Sequence, residues 1–143
     1  MIPVTLTVTN PEDSRVLVEA LIPMMNDYQV FCFHGELGAG KTTYIKALCK
    51  EIAIESETSS PSFSIVNEYE RKNKKTLFHF DLYRLNKQEE LVDIGWYDYL
   101  NSNNLMLIEW PEMAGSLIPS DAVHVNITKS SDQSRIVTIN PPS

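Results

Sequence analysis

The chain has 143 residues, and its hydrophobic content of 43% is enough to form the core of one globular domain. Lysine and arginine number 12 against 19 aspartates and glutamates, so the formal net charge is -7. A surface of that sign disfavours direct binding to the phosphate backbone of nucleic acid, because such affinity comes from basic residues. We therefore predict a single domain, residues 1–143, whose main affinity is not for nucleic acid.

The cysteines and the N-terminal sequence indicate the compartment. Cys32 and Cys49 lie within apolar segments, and their spacing is not that of a metal site or a disulfide framework. The N-terminus lacks a basic start followed by a long apolar run, and no stretch is long enough to span a bilayer. We expect a cytoplasmic protein with two core cysteines and no membrane anchor.

Hydrophobic periodicity predicts alternating strands and helices in the first part of the chain. Residues 5–8 alternate like a short strand, and Asn10 with Pro11 is typical of a helix start. Residues 28–33 are β-branched and aromatic, as in a buried strand. A glycine-rich loop follows, and from Lys41 onward apolar residues recur at helical spacing.

The remainder of the chain completes the predicted sheet. The segments in order are a strand at 63–69, a strand at 76–82, a helix at 88–100 interrupted by Gly95, a strand at 105–108, and strands at 123–127 and 136–139. The order predicts an α/β fold with a mixed central sheet, helices on both faces and a C-terminal hairpin.

The strongest motif is the glycine-rich loop Gly35-Glu36-Leu37-Gly38-Ala39-Gly40-Lys41-Thr42, which satisfies the Walker A pattern in full. Its glycines let backbone N–H groups surround a phosphate, and the following helix start adds unpaired donors. Lys41 would then bridge the β- and γ-phosphates, and the hydroxyl of Thr42 would bind Mg²⁺. The motif predicts nucleoside triphosphate binding on a P-loop NTPase-like three-layer sandwich.

Two carboxylates follow apolar strands, at the sheet edge that binds ligands in such folds. Asp81 ends the strand at 76–82 and Glu109 follows the strand at 105–108, so both are candidates to hold Mg²⁺ or to orient the attacking water. His79 shares a face with Asp81, but a lone histidine there is more often a core residue, and we assign it no chemistry. His34 and His124 have no ligand partners at metal spacing.

Several blocks of sequence occur together in an order and approximate spacing that are found in one family. They are Gly-Glu-Leu-Gly-Ala-Gly-Lys-Thr-Thr at 35–43, Ser60-Pro61-Ser62-Phe63 with Val66-Asn67-Glu68-Tyr69, His79-Phe80-Asp81-Leu82-Tyr83-Arg84-Leu85, Glu90-Leu91 before Gly95, and Leu107-Ile108-Glu109-Trp110-Pro111-Glu112. On these blocks, most of the chain resembles the bacterial tRNA threonylcarbamoyladenosine biosynthesis ATPases, the TsaE family.

The resemblance implies that the protein hydrolyses ATP, with Mg²⁺, in support of the complex that places threonylcarbamoyl on the adenosine next to the anticodon. The tRNAs concerned read codons that begin with A. In the family, a TsaD subunit with its partner TsaB makes that bond, and the P-loop subunit docks on them. tRNA is then expected to contact this chain only indirectly, through the complex.

Carried over by position, the resemblance also implies roles for single residues. Lys41 and Thr42 match the phosphate and magnesium residues, Glu109 matches a magnesium-site carboxylate, Asp81 matches the other functional acid, and Trp110 matches an aromatic residue important to the family. Further expected nucleotide contacts are Thr43, Glu112, Arg135 and the turn at 9–12. Residues 60–64 resemble the family's switch, which responds to the γ-phosphate. Ser62 departs from the family's usual threonine, and Asn26-Asp27 stands where relatives often have glycine.

Three other functions fit a P-loop. A small-molecule kinase usually needs an arginine-bearing lid, whereas this chain has only four arginines and no long insertion. A GTPase is disfavoured because Asn86-Lys87-Gln88-Glu89 has glutamate where the guanine-reading motif has aspartate. The third alternative is a nucleotide-binding protein with negligible hydrolysis in isolation.

Overall fold

A mixed seven-stranded sheet runs through the described part of this computed structural model, which comprises residues 3–10, 13–36, 38–54 and 65–142. The strands are β1 Val4–Val8, β2 Val30–His34, β3 Val66–Glu70, β4 Thr76–Asp81, β5 Leu105–Glu109, β6 Val123–Lys129 and β7 Arg135–Asn140. Their order across the sheet is β1-β7-β6-β2-β5-β4-β3. The central strand β2 pairs in parallel with β5 and β6, and β4 is parallel to β5. The other pairs are antiparallel, so a parallel centre has antiparallel margins.

Helices cover both faces of this sheet. They are α1 Arg15–Leu21, α2 Lys41–Ile52, α3 Gln88–Asp93 and α4 Trp96–Asn101, with 3₁₀ turns at Ile22–Asn26, Pro111–Met113 and Gly115–Leu117. One buried cluster joins α1 and α2 to side chains such as Phe31 and Phe33, and a second joins α3 and α4 to side chains such as Cys32 and Phe80. Because Phe31 and Cys32 are neighbours on β2, the two clusters lie on opposite faces. The predicted three-layer α/β sandwich with a C-terminal hairpin is confirmed.

The two central strands are buried along almost their whole length. Every residue of β5 is buried, and so is every residue of β2 except the last, His34. The neighbouring strand β6 instead alternates between buried and partly exposed positions from Val123 to Ile127. Continuous apolar runs are expected in strands with helices on both faces, which is why the sequence located β2 and β5 well.

The strand bounds differ from the predicted ones by a few residues, and two of the predicted helices differ from the structure in their extent. Instead of starting at Pro11, which lies outside the described residues, the first helix begins at Arg15, and the N–H of Asp13 donates to the carbonyl of Asn10 in a turn before it. The predicted helix at 88–100 is two helices, because Gly95 has a φ of 101° that an α-helix cannot accommodate.

Both cysteines pack against the core, as predicted. Cys32 is buried and Cys49 is half-buried, and both are free thiols. Burial raises the pKa of Cys32 to about 12 and that of Cys49 to about 11, because a thiolate is poorly solvated there. In the described part of the chain, none of the helices has the length and apolar character needed to cross a bilayer.

Candidate functional site

The Walker A loop connects β2 to α2, and its glycines serve different purposes. Gly38 and Gly40 have φ angles of 85° and 105°, a region that favours glycine. At Gly35 the constraint is space, since a Cβ there would lie 2.9 Å from the carbonyl oxygen of Ile127 and 3.0 Å from the Cβ of Ala39. Leu37, a predicted nucleotide contact, lies outside the described residues. Gly35 is thus packed between β6 and Ala39 on the other side of the loop.

Lys41, the first residue of α2, has its ammonium group in contact with the loop and with an aromatic ring. Its Nζ donates to the carbonyl of Gly35 and lies 3.2 Å from the centroid of the Trp110 ring. The residue is only 5% exposed. Burial lowers the pKa of Lys41, and the nearby charges of Glu112, Glu109 and Asp81 act in the opposite direction. A cation is therefore kept where the motif would place nucleotide phosphates.

Glu109 ends β5 and receives hydrogen bonds at both carboxylate oxygens. The hydroxyl of Thr42 donates to Oε1 at 2.8 Å, and Nε2 of His79 lies 2.7 Å from Oε2. Burial by itself would raise the pKa of Glu109, but the hydrogen bonds from His79 and Thr42 and the charge of Lys41 outweigh it and lower the pKa. The carboxylate is then ionised at neutral pH and can only accept, so Nε2 of His79 carries the hydrogen.

Asp81 lies beside Glu109 at the same sheet edge. β4 and β5 are parallel, and their register pairs Asp81 with Glu109. Paired residues of neighbouring strands point to the same face, so the two carboxylates share one side of the sheet. Asp81 is exposed, and its Oδ1 accepts the backbone N–H of Tyr83 at 3.1 Å. The two acids that the sequence singled out are thus brought together in different environments, one buried and one open.

These side chains line an open cleft of about 370 Å³. The lining residues are Gly38, Gly40, Lys41, Thr42, Thr43, Asp81, Tyr83, Glu109 and Trp110. All of them except Tyr83 were predicted site residues. The signal for Tyr83 was its position two residues after Asp81, the last residue of β4, within the Asp-Leu-Tyr-Arg block.

Two aromatic rings border the cleft. The centroids of Tyr83 and Trp110 lie 4.9 Å apart, and Tyr83 is 53% exposed. Trp110 has a φ of 57°, a left-handed conformation that is unfavourable for a bulky residue. Such strain is usually retained where surrounding contacts require it, often at a functional site. Here the conformation accompanies the placement of the Trp110 ring against the ammonium of Lys41.

Arg135, predicted to contact nucleotide, lies behind the P-loop and not among the residues lining the cleft. It is 6% exposed, and its Nε donates to the carbonyl of Ala39 at 2.9 Å. One of its terminal nitrogens donates to the carbonyls of Ser134 and Ser131 at 3.0 and 3.2 Å. The guanidinium therefore connects the β6–β7 turn to the loop.

The remaining predicted contacts differ in their placement. Glu112 is exposed in the turn after Trp110, outside the cleft lining, although its charge reaches Lys41. Gly35, Glu36 and Ala39 complete the loop without lining the cleft. Residues 60–64, the predicted switch, are outside the described residues, as are Pro11 and Glu12 of the turn at 9–12. Nucleotide contact by these residues remains a prediction.

The oxygen donors of the cleft fit a hard divalent cation. Mg²⁺ prefers hydroxyl, carboxylate, phosphate and water oxygens, and it is usually held by one or two carboxylates together with substrate phosphates. Thr42 supplies a hydroxyl, and Glu109 and Asp81 supply carboxylates at one sheet edge. The chemistry of these donors suits magnesium better than a soft metal.

The sequence comparisons with known proteins point to one family. A family model described as threonylcarbamoyl adenosine biosynthesis protein TsaE matches residues 8–137. The TsaE protein of Haemophilus influenzae is 35% identical over 126 residues, covering 87% of this chain and 79% of that protein. The TsaE protein of Rickettsia felis is 32% identical over 135 residues, covering 94% and 78%. The crystal structure of Bacillus subtilis YdiB has a TM-score of 0.78 at 23% identity, covering 99% of this chain and 87% of that one, so it shares the fold.

Proposed function

The chain belongs to the TsaE family of threonylcarbamoyl adenosine biosynthesis proteins, and we propose that it is a magnesium-dependent ATPase subunit that supports threonylcarbamoylation of tRNA. The modified base would be the adenosine next to the anticodon in tRNAs that read codons beginning with A. The hydrogen bond of 2.8 Å from Thr42 to Glu109 carries the ATPase part of the proposal. In P-loop NTPases a hydroxyl of the loop and a strand-end acid serve the magnesium ion together.

Each residue of the cleft has a distinct part in the proposed hydrolysis. The backbone N–H groups of the loop and the start of α2 bind the phosphates, and the ammonium of Lys41 turns from Trp110 toward the β- and γ-phosphates. Thr42, Glu109 and Asp81 would hold Mg²⁺, which when bound neutralises charge on the phosphate oxygens. Asp81 is the more exposed acid, and we assign it the orientation of the attacking water.

The aromatic pair lies at the cleft, beside the ammonium of Lys41. Trp110 covers Lys41 from one side, and Tyr83 lies beside Trp110 with half of its surface exposed. A ring against the ammonium would reduce its screening by water and so strengthen its interaction with phosphate. An exposed tyrosine next to the site also offers a surface through which a partner subunit could change the rate of hydrolysis.

We propose that this subunit acts with TsaD and TsaB in the cytoplasm and that tRNA meets it only through them. The net charge of -7 supports an indirect encounter, since a polyanion is repelled by an acidic surface. As part of this proposal, the subunit hydrolyses ATP slowly by itself and faster in the complex.

Reconstitution tests the proposal. Purified chain, TsaD, TsaB and unmodified tRNA are combined, and phosphate release and threonylcarbamoyladenosine are followed together by a phosphate assay and mass spectrometry of tRNA nucleosides. We expect ATP turnover to rise when the partner subunits are added, and modification to continue through many cycles only when this chain is present. Unchanged turnover with well-folded partners, or repeated modification without the chain, would contradict the proposal.

Matched lysine variants show whether the P-loop is responsible. Lys41→Ala removes the phosphate-binding cation, whereas Lys46→Ala changes an exposed lysine of the same helix. Only Lys41→Ala is expected to abolish ATP binding and repeated modification. If labelled phosphate appeared on a small acceptor instead of in water, the protein would be a kinase, the main alternative for a P-loop of this size.

A further inference from the structure

The carboxylate of Glu109 is fixed by donors from two different elements. Thr42 at the start of α2 donates to Oε1, and His79 on β4 donates to Oε2, at 2.8 and 2.7 Å. The side chain of Glu109 is 3% exposed and that of His79 is 12% exposed, so little solvent competes for the bond between them. Both oxygens of one buried acid are therefore engaged within the protein.

The position of His79 follows from sheet geometry. His79 pairs with Leu107, and two residues later Asp81 pairs with Glu109. Alternation along β4 places His79 and Asp81 on the same face as Glu109, so the imidazole reaches diagonally across to the neighbouring strand. One strand thus supplies both the exposed acid of the cleft and the partner of the buried one.

A carboxylate held at a single oxygen can still rotate about its last bond. A donor at the second oxygen removes that rotation and presents the first oxygen to its partner in one orientation. Donors of this type behind a ligating carboxylate typically change metal affinity or activity by 10–100-fold when they are removed. The geometry at Glu109 has this form, with His79 behind the acid and Thr42 in front.

We propose that His79 is a positioning residue, whose ring N–H holds Glu109 so that the acid and Thr42 are arranged together for magnesium and nucleotide. The inference rests on the proposed function of Thr42 and Glu109. It assigns His79 no contact with nucleotide and no proton transfer. Its effect is to be seen in the magnesium-dependent part of nucleotide affinity.

Three substitutions separate positioning from packing. His79→Leu removes the N–H donor and replaces the ring with an apolar side chain of similar size. His79→Gln keeps an N–H near the position of the histidine Nε2 and has no titratable ring. The shorter side chain of His79→Asn places its amide near the position of the histidine Nδ1, too far from Oε2 of Glu109 to donate to it. If hydrogen bonding positions Glu109, glutamine should substitute for histidine, and leucine and asparagine should not.

Nucleotide affinity is measured for the full chain by titration calorimetry with a non-hydrolysable ATP analogue. Each titration is done once in the presence of Mg²⁺ and once in the presence of a chelator that removes it. For His79→Leu and His79→Asn we expect about a tenfold loss of affinity with Mg²⁺ and no change in the chelator. His79→Gln should stay within about twofold of the original protein. Thermal melts of the same samples report folding. If His79→Leu does not fold, the comparison of His79→Gln with His79→Asn tests the proposal. Similar nucleotide affinities for these two variants in the presence of Mg²⁺ would contradict it.

Two further results would also overturn it: a leucine variant with unchanged magnesium dependence, or a glutamine variant as impaired as the leucine variant. Because no hydrolysis is measured, this experiment is separate from the reconstitution. Failure of partner-stimulated ATP turnover would contradict the proposed function and would leave the binding result for His79 interpretable.

Discussion

The ammonium of Lys41 lies 3.2 Å from the centroid of the Trp110 ring, so the cation that the Walker A motif assigns to phosphate also contacts an aromatic face. A cation over an indole at this distance is attracted by the ring quadrupole, with an energy of roughly 0.5–2 kcal/mol. Nucleotide phosphates compete for the same ammonium. The contact therefore links occupation of the P-loop to the surroundings of Trp110.

Tryptophan fluorescence should report this exchange. Adding ATP to the original protein is expected to change the emission, because the charge next to the Trp110 indole moves toward phosphate. The Trp110→Phe variant should lose that change. The second tryptophan, Trp96, is fully buried in the core cluster on the face of α3 and α4 and serves as the control. A full emission change in Trp110→Phe would show that Lys41 and Trp110 are not linked in this way.

The hydroxyl of Thr42 should matter for both stability and magnesium. Thr42→Val keeps the shape of the side chain but leaves Oε1 of buried Glu109 without its donor, so we expect unfolding free energy to fall by about 1 kcal/mol. Nucleotide affinity with Mg²⁺ should fall at least about tenfold. Thr42→Ser retains the hydroxyl and should be close to the original protein in both urea unfolding and nucleotide titration. A valine variant with normal magnesium dependence would remove Thr42 from the site.

The parts of the site predicted from sequence are those encoded by local patterns. Gly38 and Gly40 appear in the sequence because a tight loop needs left-handed backbone, and apolar runs before Asp81 and Glu109 identify buried strands. Carboxyl ends of parallel strands meet at one edge, so placing both acids together required only the fold class. Each of these features can be predicted from the residues that lie next to it in the sequence.

The features that sequence reasoning missed depend on strand order and on distant contacts. His79 resembled a core residue until the pairing of β4 with β5 placed it against Glu109. Nucleotide contact by Arg135 stays a prediction, but the sequence did not indicate that its guanidinium would donate to the carbonyl of Ala39, 96 residues away in the chain. No local pattern reports which backbone carbonyl a buried guanidinium will meet. The direction of a long side chain is decided by packing, and that information is spread over the whole sequence.

The bonds of Arg135 predict a role in stability. Arg135→Met leaves the carbonyl of Ala39 and carbonyls of the β6–β7 turn without their donor, and we expect unfolding free energy to fall by about 2 kcal/mol. Lys129→Met, an exposed change in the same hairpin, should cost less than about 0.5 kcal/mol. Urea denaturation measures both. An Arg135→Met variant of normal stability with at least tenfold weaker ATP binding would instead support direct nucleotide contact.

A pair of histidines at the base of the P-loop predicts a pH effect on stability. Nε2 of His34 lies 2.7 Å from Nδ1 of His124, on neighbouring strands β2 and β6. Burial and the proximity of His124 lower the pKa of His34, with Glu112 acting to raise it and Lys41 to lower it, and burial lowers the pKa of His124. Two ring nitrogens at hydrogen-bonding distance need one donor and one acceptor, so a fully protonated pair is disfavoured.

The sign of the effect follows from proton binding. The unfolded chain takes up protons on these rings as pH falls through the ordinary histidine pKa of about 6.5, whereas the folded chain does so only at lower pH. The stabilisation is therefore complete above about pH 6.5 and is lost as pH falls toward the lowered pKa values of the folded state. Unfolding free energy from urea titrations should be smaller at pH 5.5 than at pH 7.5, a range where ordinary carboxylates change little.

The His124→Asn variant isolates the contribution of the pair. Asparagine carries an amide at the reach of Nδ1, so it can still bond to His34 without titrating. It removes one lowered pKa and also the neighbouring charge that depresses the pKa of His34. The loss of stability between pH 7.5 and pH 5.5 should consequently be smaller in the variant than in the original protein. An equal loss in both would mean that other groups cause the pH dependence, because the histidine pair is the only element that the substitution changes.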